Sequence, residues 1–341
     1  MHHKIASALL FAFLIFSVTG CSGPKEENGL TKVTLQTDWY AQAEHGGFYQ
    51  ALAEGYYEEV GLDVTINPGG PNALVTQRIA TGNADFGIGR SDDIILHASR
   101  GLPLLIVGAL MQHDPQALLF HEESGIKTFE DLDGRTVMAT PGSLFIEFLQ
   151  RRYDITINIT PLDYGMSRFL ADKEFIQQCF ITNEPYYVDK EGANSATLLI
   201  ADSGFDPYRV IYANRAFAQK NPEVVKAFVA ASIRGWESYM AGPREKAHEI
   251  IRTANPKMTE DFMAYSISAM DKFELISGSG PEQATGLIVH SRIVDTMNQM
   301  KEAGLIEEPL DPDVIAPQDY LPPHLQEHLA QLNASKNEPK P

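Results

Sequence analysis

The sequence predicts an α/β protein of two lobes with a ligand cleft between them, and three observations predict it. From Lys32 onward, short apolar strand-like stretches alternate with amphipathic helical ones, the pattern of a sheet built with right-handed crossovers. A second run of the same type begins near Ala117. The chain also has 341 residues, more than a typical single domain holds.

Taken in order, residues 32–37 alternate as a strand. Residues 45–60 read as one helix, because Phe48, Leu52, Tyr56 and Val60 recur every four residues and Gly61 follows as a cap. Then come a strand at 62–66, a helix at 73–80 stopped near Gly82, a strand at 85–88 and a helix at 91–99. Residues 104–110 are wholly apolar, as expected of a parallel strand covered on both faces. In the second run, strands are expected at 117–120, 135–139, 174–181 and 198–200. A short helix is opened by Thr128, and another starts at Leu144 behind Pro141-Gly142-Ser143. Residues 209–212 begin a return. Asn221-Pro222 then starts a helix striped by Val225, Phe228, Val229, Ser232, Ile233 and Trp236.

The organisation expected is a leader at 1–20, a flexible tether at 21–30, a discontinuous first lobe at 31–117 and 210–332, a second lobe at 118–209, and a disordered tail at 333–341. Crossings fall near 112–118 and 204–210. Ligands of open sheets bind beyond the carboxyl ends of the strands, so the loops of two such lobes face each other across a cleft that closes by hinge motion.

The N-terminus carries its own signal. His2, His3 and Lys4 precede residues 5–18, in which only Ser7 and Ser17 are polar. That run is shorter than the roughly 20 residues a membrane span needs and reads as a signal-peptide core. It ends in Val18-Thr19-Gly20-Cys21, which resembles a lipoprotein signal-peptidase site. That resemblance implies lipidation of Cys21 and a membrane attachment through the lipid anchor only. The other cysteine, Cys179, lies in an apolar segment and reads as a buried core thiol. The balance of 27 Lys plus Arg against 45 Asp plus Glu, a net charge of −18, excludes nucleic acid as a partner class, since affinity for phosphate backbones comes from basic groups.

Three stretches carry a further likeness. Residues 38–72, DWYAQAEHGGFYQALAEGYYEEVGLDVTINPGGPN, residues 81–87, TGNADFG, and residues 183–187, NEPYY, resemble the SsuA/THI5-like (NMT1-like) family, as does the segment around Asn221-Pro222-Glu223. The resemblance runs from about residue 31 to 300. It implies a type II periplasmic binding protein fold. It also implies an extracytoplasmic substrate-binding lipoprotein, monomeric, serving the permease and ATPase subunits of an ABC importer. The nearest members are receptors for thiamine pyrimidine precursors (hydroxymethyl- or formylaminomethyl-pyrimidine). Riboflavin, alkanesulfonate, taurine and nitrate receptors are relatives. So is an enzyme, the thiamine-pyrimidine synthase, and fold alone does not choose among them.

Candidate ligand-binding residues follow from their places at strand and helix ends. Trp39 and Tyr40 end the first strand and offer aromatic faces for stacking; Trp39 also matches the aromatic of pyrimidine-binding relatives. The alternative for each is packing. His45 starts the first helix and either donates to a ligand or caps locally. No second His or Cys stands at metal-ligand spacing, so no metal is expected. Gly46-Gly47 allows either close approach of a ligand or tight helix packing. Arg90 would meet an anion or bridge the lobes, Ser91 would cap its helix and also face the cleft, and Ser143 repeats that arrangement in the second lobe. Glu184 is the preferred polar anchor, suited to an amine beside a protonated ring nitrogen, with Tyr187 and Tyr186 as a second stacking face. Aromatics and carboxylates with one cation favour an amine-bearing aromatic over a small anion.

No catalytic residue and no cofactor are expected. The synthase uses a lysine that holds pyridoxal phosphate, a histidine consumed as substrate and an iron-binding cysteine cluster. Aligned from Asp85-Phe86-Gly87, this chain has Gly89 and Asp93 at the first two places and lacks the cluster.

Overall fold

The computed structural model describes residues 26–27 and 29–337; the leader and Cys21 lie outside the described residues. The first sheet is built from β1 (Glu26–Glu27), β2 (Leu30–Gln36), β3 (Leu62–Asn67), β4 (Phe86–Arg90) and β5 (Leu104–Met111). β1 pairs antiparallel with β2, so the end of the stretch expected to be a free tether is hydrogen-bonded strand. β3 and β4 both run parallel to β2. Between the strands lie α1 (Gly46–Ala53), α2 (Tyr56–Glu59), α3 (Val75–Ala80) and α4 (Ser91–Ser99). The single helix expected over 45–60 is therefore two. Gly55 sits between them at φ 74°, a left-handed conformation that ends a helix and that glycine adopts without steric cost.

The chain then enters a second sheet. Its strands are β6 (Gln116–His121), β7 (Thr136–Ala139), β8 (Asn158–Pro161), β9 (Ile176–Phe180) and β10 (Ser195–Leu199), in spatial order β10-β6-β9-β7-β8. α5 (Leu144–Tyr153), α6 (Ser167–Ala171) and α7 (Glu184–Lys190) connect them. Thr128 and Asp131 form a reciprocal cap on the short 3-10 turn Phe129–Leu132.

β11 (Arg209–Asn214) returns to the first sheet and inserts between β4 and β5, antiparallel to both. β5 is thus buried along its whole length, but its apolar sequence does not mark a parallel strand. Full burial comes from what covers its faces; pairing direction leaves no trace in composition.

The rest is helical: α8 (Arg215–Lys220), α9 (Pro222–Ala241), α10 (Glu245–Ala254), α11 (Glu260–Lys272), α12 (His290–Glu302), α13 (Pro312–Ile315) and α14 (Pro323–Asn337). α14 extends through residues 333–337, where a disordered tail was expected. α9 drives the core of the first lobe. Phe228 stacks on Phe86 at 3.9 Å between ring centroids and on Tyr57 at 5.4 Å, and the Tyr57 hydroxyl lies 2.9 Å from Ser232 Oγ. α1 crosses α9 at very short range. A Cβ on Gly47 would fall 2.2 Å from the Trp236 ring, one on Gly46 2.1 Å from the Tyr239 ring, and one on Gly235 2.2 Å from the Gly47 carbonyl oxygen. Gly46 and Gly47 therefore make room for α9, not for a ligand. Their close packing fixes the start of α1, and with it the turn Ala43–His45 just before it.

Candidate ligand-binding cleft

A cleft of about 400 Å³ opens where loops of the two sheets meet. From the first sheet come Asp38 and Trp39 beyond β2, Glu44 and His45 in the turn before α1, Arg90 and Asp93 beyond β4, and Arg209 at the start of β11. From the second come Thr140–Ser143 beyond β7, Tyr164 beyond β8, and Cys179, Phe180 and Glu184 around the end of β9.

Trp39 is held through its backbone. Its carbonyl accepts from Thr37 Oγ1 at 2.7 Å and from the Gly69 amide at 2.8 Å. Its ring meets Tyr164 at 5.0 Å between centroids with planes 40° apart. Each lobe thus contributes one aromatic to the rim. Tyr164 adopts φ 60°, a left-handed conformation uncommon outside glycine, asparagine and aspartate.

The two arginines are both engaged. Arg90 donates to Asp92 through two nitrogens, the Nε–Oδ1 contact being 3.0 Å, and to Gln116 Oε1 in β6 at 2.6 Å. Arg209 is paired with Asp38 and lies over the Phe180 ring at 5.4 Å. Burial alone would raise Asp38, but the Arg209 guanidinium and His45 hold its carboxyl well below the usual carboxylate range. His45 Nε2 lies 3.3 Å from Asp38 Oδ1.

Glu44 and Glu184 differ. Neither forms an ion pair with a described residue. Glu44 accepts from Thr182 Oγ1 at 2.6 Å, and Glu184 Oε2 accepts from the Phe180 amide at 2.8 Å. Burial pushes Glu44 up, and it pushes Glu184 up to about 7, with the nearby Glu44 adding to the rise. Cys179 is buried beside them, and burial raises its thiol well above its ordinary value. Among the described residues no group of three or more His, Cys, Asp or Glu is placed to hold a metal ion.

The structure therefore brings Trp39, His45, Arg90, Ser143 and Glu184 together at one cleft. Three other candidates lie elsewhere. Tyr40 is half exposed and stands edge-on to Trp39 at 5.4 Å, outside the lining. Ser91 is fully buried, its Oγ accepting from the Tyr208 amide at 3.0 Å, and it is the first residue of α4 with Arg90 at the cap position. Tyr187, in helix α7, packs on Phe262 of α11 at 4.8 Å and is not among the cleft-lining residues. Arg90 links the first sheet to Gln116 of β6, which matches the bridging one of its two readings. Sequence reading missed Glu44, Tyr164 and Arg209. Glu44 adjoins the recognised His45, but an acidic residue at a helix start is already accounted for by the helix dipole.

Residues 42–246 match the family model described as NMT1/THI5 like. The chain belongs to the NMT1/THI5-like family. Within it, the chain is 26% identical over 294 residues to the formylaminopyrimidine-binding protein of Halalkalibacterium halodurans, covering 81% of this chain and 87% of that one. It is 28% identical over 239 residues to the riboflavin-binding protein of Chloroflexus aurantiacus, covering 67% and 68%. A 4-amino-5-hydroxymethyl-2-methylpyrimidine phosphate synthase of Legionella pneumophila is 26% identical over 246 residues, covering 67% and 75%. Among solved structures, the periplasmic aliphatic sulphonate binding protein of Escherichia coli superposes with a TM-score of 0.59 at 18% identity, covering 83% of this chain and 91% of that one. NMT1/THI5-like membership and this superposition agree on a two-lobed α/β fold of the periplasmic binding protein type.

Proposed function

We propose that this protein is an extracytoplasmic substrate-binding lipoprotein of an ABC importer, anchored through Cys21, and that it captures a small aromatic nutrient bearing hydrogen-bond donors, of the thiamine-pyrimidine-precursor class. One observation carries the ligand reading. The cleft is lined by four carboxylates (Asp38, Glu44, Asp93 and Glu184) and two guanidiniums, and both guanidiniums are already paired with acids. A sulfonate or nitrate would meet Glu44 and Glu184 with no free cation to receive it. A flat ring stacked against the Trp39–Tyr164 pair that donates to those carboxylates meets complementary groups throughout. The likeness to the formylaminopyrimidine-binding protein supports the same class.

Riboflavin is the second reading. The likeness to the Chloroflexus receptor favours it, and a flavin also presents a stacking face and donors. The synthase reading is disfavoured by the lining itself, which includes no lysine, leaving no amine there to form a Schiff base. The deciding experiment is mass spectrometry of the small molecule released from purified protein. An unmodified aminopyrimidine supports the proposal, a flavin selects the second reading, and a sulfonate or a pyridoxal adduct overturns both. Fatty-acid labelling that fails to mark Cys21 would overturn the anchor.

A further inference from the structure

We propose that Glu44 is the residue by which this cleft selects its ligand, because the lobes close on its carboxylate and leave one oxygen for a donor that only the ligand can bring. The inference rests on the receptor reading above and names the group that gives it specificity.

Glu44 sits where the lobes touch. It belongs to the turn before α1, in the first lobe, while Thr182, which donates to its Oε1 at 2.6 Å, follows β9 of the second sheet. The same threonine is held from the other side, its carbonyl accepting from Ser266 Oγ of α11 at 2.8 Å. This contact shuts Glu44 away: it is 3% exposed, and its Oε2 has no hydrogen-bond partner.

A second unpartnered atom lies beside it. His45 is 1% exposed and its Nδ1 has no partner. Its Nε2 faces Asp38 Oδ1, and Asp38, paired with Arg209, can only accept. Nε2 therefore carries a proton and donates to Asp38. Two adjacent cleft residues thus each hold an unpartnered polar atom, and Arg90 and Arg209 are both already paired with other acids. A buried carboxylate left half satisfied is costly, and a site built to receive hydrogen bonds rejects analogues that lack the donor. The chemistry that fits is an amine, or an amine next to a protonated ring nitrogen. Anions and donor-free rings leave Glu44 uncompensated on closure.

The test compares 4-amino-2-methylpyrimidine with 2-methylpyrimidine as probes, by calorimetry, on wild type and Glu44→Gln, and records the melting temperature of each ligand-free protein. Wild type should prefer the amino probe. Glu44→Gln should lower affinity for the amino probe about ten- to hundredfold and leave the other probe within about threefold, erasing the preference. Ligand-free Glu44→Gln should melt no lower than wild type, since the amide oxygen still accepts from Thr182 and a buried charge is gone. A variant that keeps the amine preference, or melts several degrees lower because the carboxylate is a structural strut, overturns the proposal. If wild type binds neither pyrimidine, the receptor reading for this class falls, and the melting comparison decides Glu44 by itself. Tight binding of methanesulfonate by wild type overturns both.

Discussion

His113 Nδ1 lies 2.6 Å from Asp206 Oδ2, and the two residues sit on the two separate segments that connect the lobes. Asp206 Oδ1 also accepts from the Asp114 amide at 3.0 Å, and Oδ2 from Arg292 of α12 at 2.9 Å. Gln283 completes the cluster. Its Oε1 accepts from the Ser279 and Gly280 amides, both at 2.8 Å, which turns its amide nitrogen toward His113 Nε2 at 3.0 Å. That nitrogen donates, so His113 Nε2 accepts and Nδ1 donates to Asp206. One carboxylate thus ties both crossings to the first lobe. Asp206→Asn should cost about 1–3 kcal/mol, seen as a lower melting temperature, and should enlarge the radius from small-angle scattering. A variant indistinguishable from wild type in both would show that the crossings are held by other contacts.

The aromatic rim predicts a fluorescence signature. The chain has two tryptophans, and Trp236 is buried between α1 and α9, so a ligand-induced change in emission belongs to Trp39. Trp39→Phe should silence the signal while retaining most of the affinity. Tyr164→Ala should weaken binding by about 0.5–1.5 kcal/mol beyond its lost contact area. A signal that survives Trp39→Phe would place the ligand elsewhere.

Glu184 gives two pH dependences of opposite sign. Its carboxyl titrates near 7 in the folded protein, above its unfolded value. The ligand-free protein should therefore lose stability as pH rises from about 4.5 through about 7, where the folded form holds a proton that the unfolded form has released. Binding of an amine-bearing ligand should run the other way, weakening as pH falls below about 7 and the carboxylate is neutralised. Glu184→Gln should flatten both curves. Melting and binding series at pH 5 to 8 check them, and curves unchanged in the variant would assign the titration to another group.

The α1–α9 crossing predicts a packing effect without a binding contact. Gly235→Ala places a methyl 2.2 Å from the Gly47 carbonyl oxygen and 2.7 Å from the Ala51 Cβ. The helices must separate, at a cost of about 1–3 kcal/mol, and the turn carrying Glu44 and His45 shifts with α1. Denaturant midpoint and ligand affinity should fall together. Lost stability with full affinity would show that the turn is held independently of the helix.

The parts of the fold that were legible are those in which local pattern and tertiary role coincide. Residues 91–99 form a helix with the bounds the sequence suggested, because an acidic first turn and a Gly101 stop agree with an amphipathic face. The place of Trp39 at the rim followed from its position after a strand. What escaped depends on contacts distant in sequence. Arg209 looks like the first residue of a strand until Asp38, 171 positions away, is seen to hold it. Tyr164 itself takes the left-handed conformation while the neighbouring Gly165 does not, so the sequence points to the wrong residue. Tyr187 was misplaced because the strand ending at Phe180 was not followed by a recognised helix, and its ring is held by Phe262 of α11, 75 positions on.

The insertion of β11 has a consequence for the order in which the molecule assembles. A chain emerging from its N-terminus exposes β4 and β5 well before residues 209–214 exist to pair with them. The second sheet has all five of its strands between residues 116 and 199, so it can be completed while the first still has open edges. The lobe that begins the sequence is therefore the last to close, its sheet sealed by a strand from beyond the other lobe. Unpaired edges invite wrong partners. The half-made chain is most vulnerable in that interval, and a holding factor that shields β4 and β5 would matter more than any catalyst of the final packing.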